Sequence, residues 1–446
     1  MSIAVEATAG GAAEGTSRPV NAARVCAAWA ASDTFDEYVV YENEDRWVFA
    51  GGVRARLVLT RRGVELIHGS TRRMTEWSQD PAQAIAESLA SLPDPDWRVY
   101  GWVGFDFCAA YHGLLQHVPD DAELAHLIVP EHEVVIDADG IETGDLDPAL
   151  AARLFAIAAE AGEPAPATPV RVVDDPDDYR GRVARAVAEI GRGDYQKVIL
   201  SRRVDVPFDI DMPDTFVRGR EAGDPARSYL LRLGALSAAG FSPELVVATR
   251  PDGHVVTEPL AGTRAFGRGR ALDSVARAEL LADPKEIAEH AMSVRACFDE
   301  IASIARPGTT SVSEYMVIRE RGSVQHLAST VEGEMSREAD PWRALSVLFP
   351  SITASGIPKS PALDAIYRLE PDRRGLYSGA VVTASSAGDL EATLALRTIF
   401  ANAAGAWLRA GAGIVAQSNP AREFEETCEK LDSVAPFVVR RGEDGR

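Results

Sequence analysis

Two short acidic motifs, Lys285-Glu286-Ile287-Ala288-Glu289-His290 and Glu423-Phe424-Glu425-Glu426, lie in stretches that read as helix. Residues three apart share a helix face, so Glu286 with Glu289 and Glu423 with Glu426 each present two carboxylates on one side. Four converging carboxylates need a cation. With no Cys or His pair beside them, hard oxygen ligands point to Mg²⁺, which keeps several waters and is held by one or two carboxylates plus an anionic substrate. Each pair taken alone also fits a solvated helix face neutralised by Lys285, Arg422 and Lys430.

Lys197 opens the apolar run Lys197-Val198-Ile199-Leu200-Ser201-Arg202. In low dielectric a lysine loses its proton more readily and suits a general base, whereas at a strand end it can also reach solvent. Glu244 follows Pro243 just before a strand, where a carboxyl kept protonated could act as a general acid or simply sit at the surface. A base and an acid of different type on opposite sides of a ring would suit addition of water with loss of a hydroxyl. Leu260-Ala261-Gly262-Thr263-Arg264 and Arg409-Ala410-Gly411-Ala412-Gly413 read as glycine turns beside strands, whose backbone N–H groups could meet a carboxylate with Arg397 and Lys430 as countercharges. Tight turns alone would also explain these glycines. His326 reads as a hydrogen-bonded structural histidine, and Thr353, Tyr377 and Arg397 as ordinary strand and loop residues.

Formal charge narrows the partners. With 46 basic and 67 acidic residues the net charge is -21, which argues against nucleic acid or an anionic membrane. No apolar run is long enough to span a bilayer, and the N-terminus lacks the pattern of a secretory signal. Cys26, Cys108, Cys297 and Cys428 are widely separated, so neither a zinc site nor a disulfide framework is indicated and a reducing cytoplasm fits.

The elements that must position these residues come in runs of strands. Residues 1–20 read as a disordered arm, 21–170 as the N-terminal part of the fold and 171–440 as the catalytic region, with Gly162 to Pro169 a linker by composition. Glu37 to His68 alternates as a meander of short strands, a helix runs from Asp80-Pro81 through Leu92, and Arg98 to Cys108 reads as a strand. After the linker a strand is expected from Gln196 to Val206, others at Ser228 to Gly234, Glu244 to Arg250 and His254 to Glu258, and a long helix from Pro284 to about Ala305. Strands dominate again from Leu376 to Val415, and a last helix starts near Pro420. Strands joined by hairpins, without strict alternation with helices, predict an α+β fold with large antiparallel sheets.

Taken in order, GDYQKVILSR, GFSPELV, TEPLAGTRAFGRG, DPKEIAEHAMSVR, RGSVQHLAST, TASGIPK, GLYSGAVV, RAGAGIV and EFEETCEKL resemble the chorismate-utilising enzymes, the family of anthranilate, aminodeoxychorismate, isochorismate and salicylate synthases. The resemblance covers Asp175 to Val438, extends weakly through GWVGFDF, and is greatest to salicylate synthases of mycobacterial type. It implies one compact chorismate-binding fold, with the sheets packed as a sandwich and helices outside. It also implies Lys197 as the base that activates water for attack at ring carbon 2, and Glu244 as the acid that protonates the hydroxyl leaving carbon 4. Glu289 and Glu426 match direct Mg²⁺ ligands, with Glu286 and Glu423 acting through waters. Tyr377, Arg397, Gly411 and Lys430, with Gly413 in the same glycine segment, match positions around the substrate's carboxylates. Gly262 and Thr263 fall beside the acid, and His326 and Thr353 line the site.

Ammonia-using members commonly carry Gln where this chain has Lys197, and Gln196 is adjacent. Successive strand residues face opposite sides, so the register that aligns Val198-Ile199-Leu200-Ser201 places the lysine in the site and makes water the nucleophile. The implied reaction carries chorismate through isochorismate to salicylate and pyruvate, or stops at isochorismate. An anthranilate synthase-like activity ranks below these, as does a non-catalytic chorismate-binding protein, which would need neither Lys197 nor Glu244. A monomer without a glutamine amidotransferase subunit is expected, with a siderophore or another salicylate-derived metabolite as the usual destination.

Overall fold

The computed structural model describes residues 21–77, 80–321 and 324–442, and the arm expected over residues 1–20 lies outside them. Two antiparallel sheets, of ten and twelve strands among the described residues, carry the fold. Their side-chain alternation explains the layering. In the strand Tyr38–Asn43, Val39 and Tyr41 pack with Tyr229, Tyr100, Trp102 and Val381 between the two sheets, while Tyr38 and Val40 point the other way, with Trp29 and Phe216, under the outer helices. On the second sheet Tyr100 and Trp102 enter the same middle layer. Val99 and Val103 face a cluster with Ile85, Leu345 and Ile366, from the helices Pro81–Ala90, Pro341–Leu348 and Lys359–Leu369. Four layers result, helices outside and two sheets within, which is the expected α+β sandwich.

Three local expectations are corrected. The stretch Glu37 to His68 is not one meander: its first hairpin, Tyr38–Asn43 with Arg46–Gly51, joins the ten-stranded sheet, and its second, Ala55–Thr60 with Gly63–His68, joins the other. Gly52, at φ +75°, takes the chain across. The strand from Arg98 ends at Val103 rather than Cys108, because Phe105 N–H donates to the Gly375 carbonyl (2.7 Å) and the chain tightens into a 3₁₀ turn over Phe105–Ala110. The two glycine segments are strands, Leu260–Ala265 and Gly405–Ile414, and not turns. Their glycines serve close approach, Gly411 to a neighbouring strand and Gly262 and Gly413 to packed side chains.

Strands from before and after the Gly162 to Pro169 segment share both sheets as two contiguous blocks, joined where Tyr38–Asn43 pairs with Arg227–Leu233 and where Arg98–Val103 pairs with Ala380–Ser385, and that segment is itself tied down where Thr168 N–H donates to the Val438 carbonyl (2.6 Å). The chain passes directly between sheets at two places that carry candidate site residues. One lies between Leu236–Ser242 and Leu245–Thr249, the other between Leu390–Leu394 and Thr398–Asn402. Glu244 stands at the first crossing and Arg397 at the second. The crossings are fastened together: Ser242 Oγ donates to the Leu394 carbonyl (2.6 Å), and Leu394 N–H donates to the Glu244 carbonyl (3.1 Å).

Candidate active site

Lys197 begins the strand Lys197–Val206, which pairs with Gly405–Ile414 so that Ile199 faces Gly413 and Ser201 faces Gly411. Val198 and Leu200 enter the helix-side core, which turns Lys197 to the opposite face. There Lys197 is only 5% exposed, and its Nζ lies 3.3 Å from Glu289 Oε2. Gln196 is exposed to solvent. Gly413 makes room for the lysine, since a Cβ there would sit 3.2 Å from Lys197 Cε. Gly411 is more constrained, since a Cβ would lie 2.7 Å from the Leu200 carbonyl oxygen and 3.1 Å from Tyr377 Oη.

Glu244 is buried. Its Oε1 accepts hydrogen bonds from Ser351 Oγ (3.1 Å) and from Thr353 Oγ1. Burial pushes its carboxyl up to about 7, although Thr353, Ser351, Lys197 and Lys430 all favour the charged form. The acid role read from the sequence therefore rests on an environment that keeps this carboxyl half protonated near neutrality.

His326 lies on the strand Val324–Glu334 beside Leu260–Ala265. Arg397 Nη2 approaches His326 Nε2 at 3.2 Å. A guanidinium can only donate, so Nε2 accepts and the imidazole proton sits on Nδ1, which faces the Gly262 carbonyl (3.2 Å) and Thr263 Oγ1 (3.1 Å). Burial pushes Arg397 down to about 10, so it stays charged at neutral pH. Its backbone is left-handed, at φ +48°, a conformation a non-glycine residue adopts only where its surroundings enforce it. Gly262, at φ +61°, brings the strand against the acidic helix, since a Cβ there would lie 2.9 Å from Glu286 Oε2.

Both acidic motifs sit at helix starts. Pro284–Ile304 is capped by the Asp283 carboxylate and Pro420–Leu431 by the Asn419 side chain, each with proline in the first turn, and Glu286 and Glu423 occupy those first turns, where the helix dipole favours negative charge. The carboxylates feel one another. Burial and then Glu289 push Glu286 up, and burial, with Glu426 and Glu289, pushes Glu423 up. Glu289 Oε1 and Glu423 Oε2 are buried without a hydrogen-bond partner.

The donor set, all carboxylate oxygen with two unsatisfied atoms, fits a hard divalent cation such as magnesium. The cations now in contact are the protein's own. Lys197 and Lys285 lie on Glu289, Arg264 lies on Glu286 (3.5 Å), and Lys430 lies on Glu426 (2.8 Å). Among the described residues no three or more His, Cys, Asp or Glu side chains are arranged to hold a metal ion, so binding one would require these glutamates to turn from their ammonium and guanidinium partners. Lys430 Nζ also donates to the Gly411 carbonyl (2.9 Å), which ties the last helix to the strand that backs Tyr377.

Sequence reasoning missed a buried ion cluster behind Tyr377. Glu370 accepts from Arg374 (2.6 Å) and Arg409 (2.7 Å), and its Oε1 takes both Ser201 N–H (2.7 Å) and Ser201 Oγ–H (2.9 Å). Arg374 and Arg409 each lie 5.7 Å from the Tyr377 ring centroid and so fix that ring. Burial opposes the Glu370 charge, but the two guanidiniums outweigh it and hold its carboxyl below the usual range. The only sequence signal was the i,i+4 spacing of Glu370 and Arg374, which is common on exposed helices. Glu370→Ala would leave two buried cations facing each other and is expected to destabilise the fold by about 3–5 kcal/mol, read as a drop in the urea midpoint. An unchanged midpoint would remove the cluster from the account of Tyr377.

The sequence-derived residues therefore form a connected set. Lys197 touches Glu289 and the Gly413 position, Glu286 the Gly262 position, His326 joins Gly262, Thr263 and Arg397, Thr353 holds Glu244, and Lys430 joins Gly411 to Glu426, while Glu244 feels Lys197 and Lys430, Glu423 feels Glu426 and Glu289, and Lys430 feels Tyr377 and Arg397. Residues 36–436 match the family described as chorismate binding enzyme. A salicylate synthase of Mycolicibacterium paratuberculosis is 46% identical over 415 residues, 91% of this chain and 90% of that protein. An anthranilate synthase component 1 of Haloferax volcanii is 36% identical over 287 residues, 63% of this chain and 55% of that protein. The crystal structure of anthranilate synthase component I from Streptococcus pneumoniae superposes with a TM-score of 0.72 at 26% identity, over 88% of this chain and 92% of that one. With a match that spans both sheets and every residue of the site, this chain belongs to the chorismate binding enzyme family.

Proposed function

We propose that the protein is a magnesium-dependent salicylate synthase, which adds water to chorismate to form isochorismate and then releases salicylate and pyruvate. One observation carries the choice of nucleophile: the buried strand-start side chain beside Glu289 is Lys197, while Gln196 faces solvent. In its neutral form Lys197 takes a proton from the water that attacks ring carbon 2. Glu244, raised to about 7 by burial, gives its proton to the hydroxyl that leaves carbon 4. Arg397, Lys430 and Tyr377 supply donors for the substrate's carboxylates, and Gly411 lets the strand backbone approach them. Glu289 and Glu426, with Glu286 and Glu423 beside them, would hold magnesium, whose charge would offset that of protein and substrate. The similarity to the salicylate synthase over 91% of the chain supports the second step.

Incubation with chorismate and Mg²⁺ is expected to give salicylate and pyruvate in equal amounts. Isochorismate as the sole product would make the protein an isochorismate synthase, and anthranilate in the presence of ammonium would overturn the assignment of water.

The second step needs no further acid–base pair if the hydrogen on carbon 2 passes directly to the departing enolpyruvyl group, the site holding the reactive conformer. Isochorismate deuterated at carbon 2 should then yield pyruvate labelled in its methyl group in ordinary water. Loss of the label to solvent would require a protein base and would bring Lys197 and His326 back into question.

A further inference from the structure

The hydroxyls around Glu244 are arranged in one direction. Thr353 N–H donates to Ser351 Oγ (3.4 Å), Ser351 Oγ and Thr353 Oγ1 are 2.8 Å apart, and both hydroxyls reach Glu244 Oε1. Each hydroxyl has a single hydrogen. Ser351 Oγ and Thr353 Oγ1 each direct that hydrogen to Oε1. Among the described residues no side chain makes a hydrogen bond to Oε2. Ser351 is buried, and its own carbonyl accepts from Ser355 Oγ (2.9 Å) and Ala354 N–H (2.9 Å), which fixes its backbone.

Resting on the reading of Glu244 as the acid, we propose that Ser351 is a positioning residue: with Thr353 it saturates Oε1 of Glu244 and so confines the acid's proton to Oε2, the oxygen left to meet the departing hydroxyl. Thr353 then acts on the acid rather than on the substrate. In the step itself the Oε2–H bond breaks as the proton moves to the hydroxyl oxygen on carbon 4. The C–O bond breaks with its electron pair going to that oxygen, water departs, and Glu244 is left as a carboxylate. The same two hydroxyls then stabilise the new negative charge on the carboxylate.

The other groups facing Glu244 are Lys197 and Lys430, which favour its ionised form, and the Cys297 thiol, which burial keeps protonated. Ser351→Ala leaves all three in place and removes one donor to the carboxylate, so the folded-state titration of Glu244 must move upward.

The test combines turnover with a difference infrared titration of the full-length protein against Glu244→Gln, which isolates the carbonyl stretch of the neutral Glu244 carboxyl. For Ser351→Ala we expect kcat to fall about tenfold with KM within twofold of the parent. The infrared midpoint and the alkaline limb of kcat should both move up by about one pH unit. Ser351→Thr, which keeps the hydroxyl, should return both toward the parent values. Thr353→Val should shift the midpoint in the same direction, and Thr353→Ser should not.

A Ser351→Ala enzyme whose midpoint and alkaline limb stay where the parent's are overturns the proposal, even if kcat has fallen. An unchanged kcat overturns it as well. These outcomes are separable from failure of the underlying reading, because in that case Glu244→Gln itself would turn over chorismate at the parent rate.

Discussion

Turnover of chorismate by Lys197→Ala is expected to fall by about 10²–10⁴-fold, the range for loss of a positioned general base. The effect should fall on kcat more than on KM, since Lys197 pairs with Glu289 and does not stand among the donors assigned to the substrate's carboxylates. The fold should survive the change. Lys197 opens its strand, the ladder bonds to Gly405–Ile414 are made by backbone, and Glu289 keeps Lys285 at 3.8 Å. A melting temperature near the parent's, together with the loss in kcat, would separate chemistry from stability. Parent-like turnover in this variant would remove Lys197 from the mechanism.

Glu289→Gln and Glu426→Gln are each expected to abolish measurable turnover, as is exhaustive chelation of the wild-type protein. Substrate carboxylates entering a site with four glutamates would otherwise add negative charge beside Glu286 and Glu423, which burial and then neighbouring glutamates already push up. The amide is close in size to the carboxylate but lacks its charge, so packing is kept while cation affinity is lost. Readdition of Mg²⁺ should restore the chelated wild-type enzyme and leave both variants inactive at ordinary concentrations. Full activity after chelation would eliminate the metal from the account.

The parts of this site that the sequence makes legible are those with strong local signatures. Asp283-Pro284 and Asn419-Pro420 mark two helix starts, so the i,i+3 glutamate pairs fall on helix faces from sequence alone, and the Lys197 strand is marked by its continuous apolar run. What local pattern cannot report is which sheet a strand joins. The hairpins at Tyr38–Gly51 and Ala55–His68 look alike in sequence, yet a single crossing at Gly52 sends them to different sheets. The glycines at 262, 411 and 413 resembled turn formers because their reason for being glycine is tertiary: Glu286, Tyr377 and Lys197 occupy the space a side chain would need. The same holds for Ser351 and for the Glu370, Arg374 and Arg409 cluster, whose partners are remote in sequence and carry no spacing rule. Glu244 and Arg397, far apart in sequence, are brought near each other by two sheet crossings that Ser242 and Leu394 fasten together, a pairing that no local pattern announces.

The central claim, that Lys197 activates water and the same enzyme then expels pyruvate, is tested most directly by supplying chorismate and Mg²⁺ in ¹⁸O-labelled water and examining the product by mass spectrometry. Water added at carbon 2 becomes the phenolic oxygen when the enolpyruvyl group leaves from the neighbouring carbon, so the account predicts salicylate carrying one ¹⁸O in its hydroxyl group. Unlabelled salicylate, or an aminated ring formed when ammonium is present, would contradict it.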